Sequence, residues 1–165
     1  MATKKASSTK TAAKAPAKAA AKKPAAKTTK SGSKGGKLRL IAASPSFTVN
    51  DVEKSLAWYR DVLGCKVSER WESEGKLMGV ELEAGDVTFM IGQDDWKKGK
   101  KRVKGVAVRL YCVTRQNLDQ VAARIKANGG TLTQEPKDQP WGMRDLAIDD
   151  PDGFKITIAQ QGRKR

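Results

Sequence analysis

The chain of 165 residues contains no histidine and only two cysteines, and its first 37 residues contain no acidic and no aromatic side chain. Each absence excludes something. Without histidine, a metal centre built on two imidazoles and a carboxylate cannot form. Two cysteines, Cys65 and Cys112, do not make a disulfide framework. Both sit among apolar neighbours and read as small buried hydrophobes, which favours a reducing, cytoplasmic compartment. No apolar run approaches the roughly 18 residues of a membrane span. The Lys4-Lys5 start lacks the apolar stretch of a secretory signal. A transit peptide is the alternative there, although no Arg occurs before Arg39.

The charge that is present is unevenly spread. The net charge is +15, and residues 1–37 hold eleven Lys without an acid, which leaves about +4 for the remainder. Residues 1–36 contain no Val, Ile, Leu or aromatic, so this segment has nothing to bury against the entropy of ordering. Pro16 and Pro24 interrupt any long helix, and the Gly/Ser-rich run 31–36 reads as a hinge. A basic disordered tail (1–37) is expected. Its spaced Lys4, Lys5, Lys10, Lys14, Lys18, Lys22, Lys23, Lys27, Lys30 and Lys34 suit non-specific binding of nucleic acid, because Lys neutralises phosphates and reads no bases. In composition the tail resembles those of linker histones and bacterial histone-like nucleoid proteins, which implies nucleoid association. A merely solubilising appendage is the competing reading.

After Lys37 apolar patterning begins. A strand-like stretch runs from Leu38 to Val49. Asn50, with Glu53 three residues on, marks a helix start. Val52, Leu56, Tyr59 and Leu63 form one buried face, and Gly64 ends the helix. Strand-like runs follow at 65–71, 77–82 and 87–91. The same order then repeats: a strand at 106–113, a helix from Thr114 with Leu118, Val121, Ala122 and Ile125 inward, a stop at Asn128-Gly129-Gly130, and strands at 131–133, 143–148 and 154–158. Two βαβββ modules, at about 38–92 and 104–160, therefore make an α+β domain over 38–161 with a cupped, mostly antiparallel sheet. Residues 162–165 are a short basic end.

The run from Thr48 through Trp58-Tyr59-Arg60-Asp61 to Gly64, with Gln139-Pro140-Trp141-Gly142-Met143-Arg144-Asp145 and Asp150-Pro151-Asp152-Gly153 in the second half, resembles the vicinal oxygen chelate superfamily of glyoxalases, bleomycin-resistance proteins and dioxygenases. The resemblance implies a cup with two metal ligands from each half, where a divalent ion stabilises an oxyanion. Those positions fall on Ser44, around Val106 or Ala107, and on Thr157. Glu81 is the one weak metal candidate. The expectation is thus no metal, no cofactor and no catalytic residue, with enzymatic activity leaning to absent.

What remains is a cup for an amphipathic or aromatic small molecule, closed by a homodimer as in metal-free bleomycin-resistance relatives. Candidate ligand contacts are Phe47, Trp96, Tyr111, Trp141 and Arg144. Arg144 is suited to an anionic group, or else to an ion pair with Asp145 or a role as a sheet-edge charge. Trp141 competes with a plugging role, whereas Trp96 in the charged link 93–104 is harder to explain by packing. The Asp-Pro-Asp-Gly run reads as a turn. Three functions stay open: a metal-free binding protein, a lyase, isomerase or dioxygenase-type enzyme, and a nucleoid-associated DNA-binding protein.

Overall fold

A computed structural model describes residue 38 and residues 40–162. The basic tail and its ten candidate lysines, like the last three residues, lie outside the described residues. Two four-stranded sheets and two helices are built in the expected order. In the first half, β1 (Ser46–Val49) leads to α1 (Val52–Asp61), then β2 (Lys66–Ser73), β3 (Lys76–Ala84) and β4 (Val87–Gln93). In the second, β5 (Arg109–Thr114) leads to α2 (Leu118–Ala127), then β6 (Leu132–Asp138), β7 (Arg144–Asp149) and β8 (Lys155–Gln160). The strand orders β1-β4-β3-β2 and β5-β8-β7-β6 repeat one pattern, in which the first strand lies parallel to the last. Each half is thus one βαβββ module.

Local chemistry explains most boundaries. Asp51, not Asn50, caps α1: its carboxylate accepts from the Lys54 amide at 3.0 Å. Asn50 instead donates its own amide to Asp152 at 3.1 Å. Asn117 caps α2 through the Gln120 amide at 3.1 Å, so this helix begins after Thr114 and not at it. β1 is shorter than the apolar stretch predicts. Leu40 and Ile41 are exposed and extend away from any cover. β5 starts at Arg109 and not at Val106, because Ala107 takes φ +57, which breaks extended backbone.

The helical faces and the sheet faces beneath them share one core, including Val49, Leu56, Tyr59, Val80, Leu82 and Ile91 from the first half and Leu118, Ile125, Leu146 and Ile148 from the second. The halves are joined by few but specific contacts. Phe47 stacks on Phe154 with centroids 4.5 Å apart. Val62 packs so closely on Gly130 that a Cβ there would lie 2.6 Å from its methyl. The Asp150-Pro151-Asp152-Gly153 turn clasps α1: Tyr59 donates its hydroxyl to Asp150 at 2.9 Å, and Ser55 donates to Asp152 at 3.2 Å. Gly105, at φ +68, lies against the Gly153 carbonyl, where a Cβ would stand 2.0 Å from the oxygen, so only glycine fits.

Asp150 is buried and also accepts the amides of Asp152 and Phe154. Burial raises its carboxyl above the usual carboxylate range, although these hydrogen bonds pull the other way. A raised folded value means that this group favours folding at acid pH and loses that contribution as pH rises through the folded value. Tyr59→Phe, which deprives this buried acceptor of a donor, should cost about 1.5–3 kcal/mol in urea unfolding at neutral pH. Asp150→Asn keeps an acceptor for both amides and removes the charge. Its Tm relative to wild type should therefore move in the variant's favour between roughly pH 4 and 7; a constant offset would refute the buried-carboxylate account.

Candidate functional site

Alternation along β5 divides its side chains between two faces. Leu110 and Cys112 turn toward α2 and the core. Arg109, Tyr111 and Val113 turn to the opposite, cup face, where Tyr111 keeps 48% of its surface exposed and Val113 58%. The register carries this face across the second sheet: Tyr111 lies beside Thr157, and Thr157 beside Ala147. Arg109 donates to the Thr157 hydroxyl at 2.8 Å. Farther along, the buried Asp145 accepts from both Gln134 and Gln139 amides at 2.7 Å. This cup face combines one guanidinium, one phenol, one hydroxyl and an amide-clamped carboxylate.

The first sheet's cup face brings two carboxylates together. Glu69 stands directly across from Glu81, and Glu81 beside Met90. Trp71 covers Gly79, where a Cβ would come within 2.9 Å of the ring, and it stays 37% exposed. Two carboxylates opposed in adjacent strands repel, so this face favours a cation or hydrogen-bond donors in front of it.

The internal repeat locates the positions where the resemblance implies metal ligands. Thr157 on β8 pairs with Ala147 on β7, just as Met90 on β4 pairs with Glu81 on β3. The counterpart of Thr157 is therefore Met90, and Glu81 sits one strand away from it. Likewise, Ser44 lies beside Thr88, two residues before Met90, as Arg109 lies beside Lys155, two residues before Thr157. Ser44 is thus matched by Arg109. Val106 and Ala107, the expected second-half positions, lie in the turn before β5. A catalytic divalent ion needs several oxygen or imidazole donors. These four positions offer a hydroxyl, a thioether, a guanidinium and a second hydroxyl, and the guanidinium repels a cation. The residues do not fit the family's metal. Among the described residues no three His, Cys, Asp or Glu side chains converge as a metal cage.

The five candidate ligand contacts do not converge either. Tyr111 alone lies on a cup face. Phe47 is 5% exposed on the helix side of β1 and belongs to the core. Arg144 points to the helix side of β7, where Asp119 of α2 at 2.8 Å and Asp138 at 3.1 Å clamp it, with no bond to Asp145. Trp141, in the turn between β6 and β7, is 64% exposed. Trp96 occupies the link between the halves at φ +58, and the Lys100 and Lys104 ammonium groups lie 5.9 and 5.7 Å from its ring. That link is anchored by the buried Asp94, which takes Arg102 at 2.6 Å, Lys104 and the Trp96 amide. The Lys104 ammonium, more than any other group, holds the Asp94 carboxyl well below the usual carboxylate range. Sequence reading missed Arg109, Asp145, Trp71 and Met90. Only the alternation of β5, which separates Arg109 and Tyr111 from Leu110 and Cys112, marked any of them.

Two βαβββ modules, each with one sheet face turned away from its helix, define the fold class. Residues 41–158 match the sequence profile of the Glyoxalase/Bleomycin resistance protein/Dioxygenase superfamily, and the chain belongs to that superfamily. It is 30% identical over 122 residues to the lactoylglutathione lyase of Salmonella typhimurium, covering 68% of this chain and 86% of that protein. It is 27% identical to the bleomycin resistance protein of Geobacillus stearothermophilus, covering 74% of this chain and 98% of that one. A crystal structure of a glyoxalase/bleomycin resistance protein/dioxygenase from Nocardioides shares the fold, with a TM-score of 0.62 at 17% identity, over 79% of this chain and 89% of that one.

The placement of Phe47 is open to a direct check. Phe47→Ala removes a core ring and should cost about 3–5 kcal/mol of stability. Ligand affinity of the folded fraction should stay unchanged; an intact Tm with lost ligand binding would return Phe47 to the site.

Proposed function

We propose that this chain is a metal-free binding protein of the glyoxalase/bleomycin-resistance type, which takes a small amphipathic or aromatic molecule on its cup faces. The observation that carries the reading is the Arg109–Thr157 hydrogen bond, at 2.8 Å, where a pair of metal donors would stand. A guanidinium there suits an anionic or strongly polar ligand group, and Tyr111 and Trp71 supply stacking surface. A lyase-type enzyme is the second reading, and the 30% identity to a lactoylglutathione lyase favours it. Elemental analysis of freshly purified protein, run beside an assay for lactoylglutathione formation, separates the two. The binding reading expects far less than one metal per chain and no turnover. Stoichiometric nickel, zinc, iron or manganese with turnover would reject it.

The cup closes in a homodimer. Glu69 and Glu81 stand on one face and Arg109 on the other, so a second copy can pair them, and the free edges of β1 and β5 leave backbone groups for it. Sedimentation should give a dimer at micromolar concentration. Arg109→Glu should shift it toward monomer, and Arg109→Glu with Glu81→Arg should restore part of the association. A wild-type monomer at all concentrations would overturn this assembly.

The lysines of residues 1–36 add a non-specific nucleic-acid anchor, in keeping with a cytoplasmic, nucleoid-associated protein. Deleting residues 2–36 should leave the domain folded and remove most duplex DNA binding. Ten lysines meeting up to roughly ten phosphates give a log–log salt slope of several units, with no dependence on base sequence. Lys97, Lys98, Lys100, Lys101, Arg102 and Lys104 in the link leave some residual binding. Equal DNA binding by full-length and truncated protein at every salt concentration would reduce the tail to a solubilising appendage.

A further inference from the structure

On the helix side the two halves do not close completely. A cavity of about 850 Å3 opens between the end of α1, the β3–β4 turn and the second module. Its floor is the inward face of β5 and β8, with Leu110, Cys112, Ile156 and Ile158, and its walls include Phe89 from one half and Val121 from the other. Protein interiors are packed too closely to leave such a volume by default. Cys65 and Cys112, the protein's only two thiols, both line it. Burial pushes the Cys65 thiol up to about 11, with Cys112 adding to the rise, and raises Cys112 as well, so both face the cavity uncharged at neutral pH.

The mouth differs in character. Arg115, just beyond β5, and Arg124, on α2, stand at the rim with Gln116 and Gln161. Neither arginine forms an ion pair with another described residue, whereas Arg60, Arg70, Arg102 and Arg144 all do. Asp86 on the β3–β4 turn is the one carboxylate in the lining. The rim therefore carries two cations against one anion over an apolar floor. The volume lies in the range of roughly 300–1,000 Å3 typical of small-molecule sites.

We propose that this inter-module cavity is a second binding site, for an amphipathic anion whose hydrocarbon chain lies on the floor of β5 and β8 and whose head group meets Arg115 and Arg124. An apolar chain is recognised by area alone, so the length of the slot selects it. The guanidinium pair recognises a carboxylate or phosphate and discriminates against the uncharged alcohol. This site faces away from Arg109 and Tyr111, so it stands or falls independently of the cup. Occupation from this side also ties the first module to α2 and β5, across a seam that otherwise rests on a handful of contacts.

The thiols report on the cavity alone, which separates it from the anion-attracting lysines of the N-terminal segment. Full-length protein is alkylated with N-ethylmaleimide near pH 8, and Cys65 and Cys112 are followed separately by mass spectrometry. Dodecanoate and dodecyl phosphate, both below their micelle concentrations, should slow modification; acetate should not, and dodecanol should need a roughly tenfold higher concentration. The ratio between the two anions tells which head group the rim prefers. Arg115→Gln with Arg124→Gln, both exposed positions, should weaken dodecanoate protection roughly tenfold without changing Tm. Cys112→Phe, which fills the slot, should abolish binding of one dodecanoate per chain in native mass spectrometry, a readout that serves even if Cys112 is slow to react. Absence of protection and of a one-to-one complex would overturn the proposal. So would dodecanol matching dodecanoate, or the double variant retaining full affinity, since either result would leave a slot without anion recognition.

Discussion

The Tyr59 hydroxyl reaches the Asp150 carboxylate across the seam between two half-domains that share no hydrogen-bonded strands. With the Ser55–Asp152 hydrogen bond, that clasp ties the β7–β8 turn to α1. A buried carboxylate is a costly device for this purpose. It is tolerable because three donors converge on it: one phenol and the amides of Asp152 and Phe154. Around it the chain permits close approach only where side chains are missing, at Gly105 against Gly153 and at Gly130 against Val62. Polar specificity and steric permission together position the turn.

The two faces of the sheets differ in what they carry. The helix side is filled by large aliphatic residues, apart from a gap lined in part by Cys65 and Cys112. The cup side is left to small or polar residues, among them Thr157, Ala147 and Asp145, and its larger groups stand partly in solvent. On this side the first module opposes two carboxylates, Glu69 and Glu81, whereas the second carries both Arg109 and the buried Asp145. A family that elsewhere supplies metal donors from both halves here supplies a guanidinium, a thioether and two hydroxyls. The scaffold is retained while the side chains at these four positions differ, as a rigid frame permits.

The fold was largely legible in the residues. Helical spacing at Val52, Leu56 and Tyr59, the repeat of that pattern at Leu118, Val121 and Ile125, and the Asp-Pro-Asp-Gly turn placed eight strands and two helices in the right order. Boundaries slipped where backbone chemistry outweighed hydrophobicity. Ala107 with a positive φ delayed β5 despite an apolar run, and Asp51 outcompeted Asn50 as cap because its carboxylate reaches the Lys54 amide. The site was less legible. Phe47 and Arg144 are chemically apt for a ligand, yet each faces the helix side of its sheet. Period-two alternation assigns a face only after the register is known, and a shift of one residue reverses it.

By itself, the sequence determined what this protein cannot be and how its parts are ordered: no imidazole-based metal centre, a lysine-rich segment with nothing to bury, and two copies of one αβ unit. These are properties of composition and of short-range periodicity, which need no knowledge of the partner surface. Only the tertiary structure decided which residues meet. It matched Arg109 with Thr157, made Met90 the counterpart of Thr157, engaged Arg144 with Asp119 and Asp138, and left Arg115 and Arg124 without an ion pair to any described residue beside an apolar cavity. Those pairings join positions far apart in the chain, and strand register and the packing angle of the two halves set them. Neither quantity is written in any local stretch of residues.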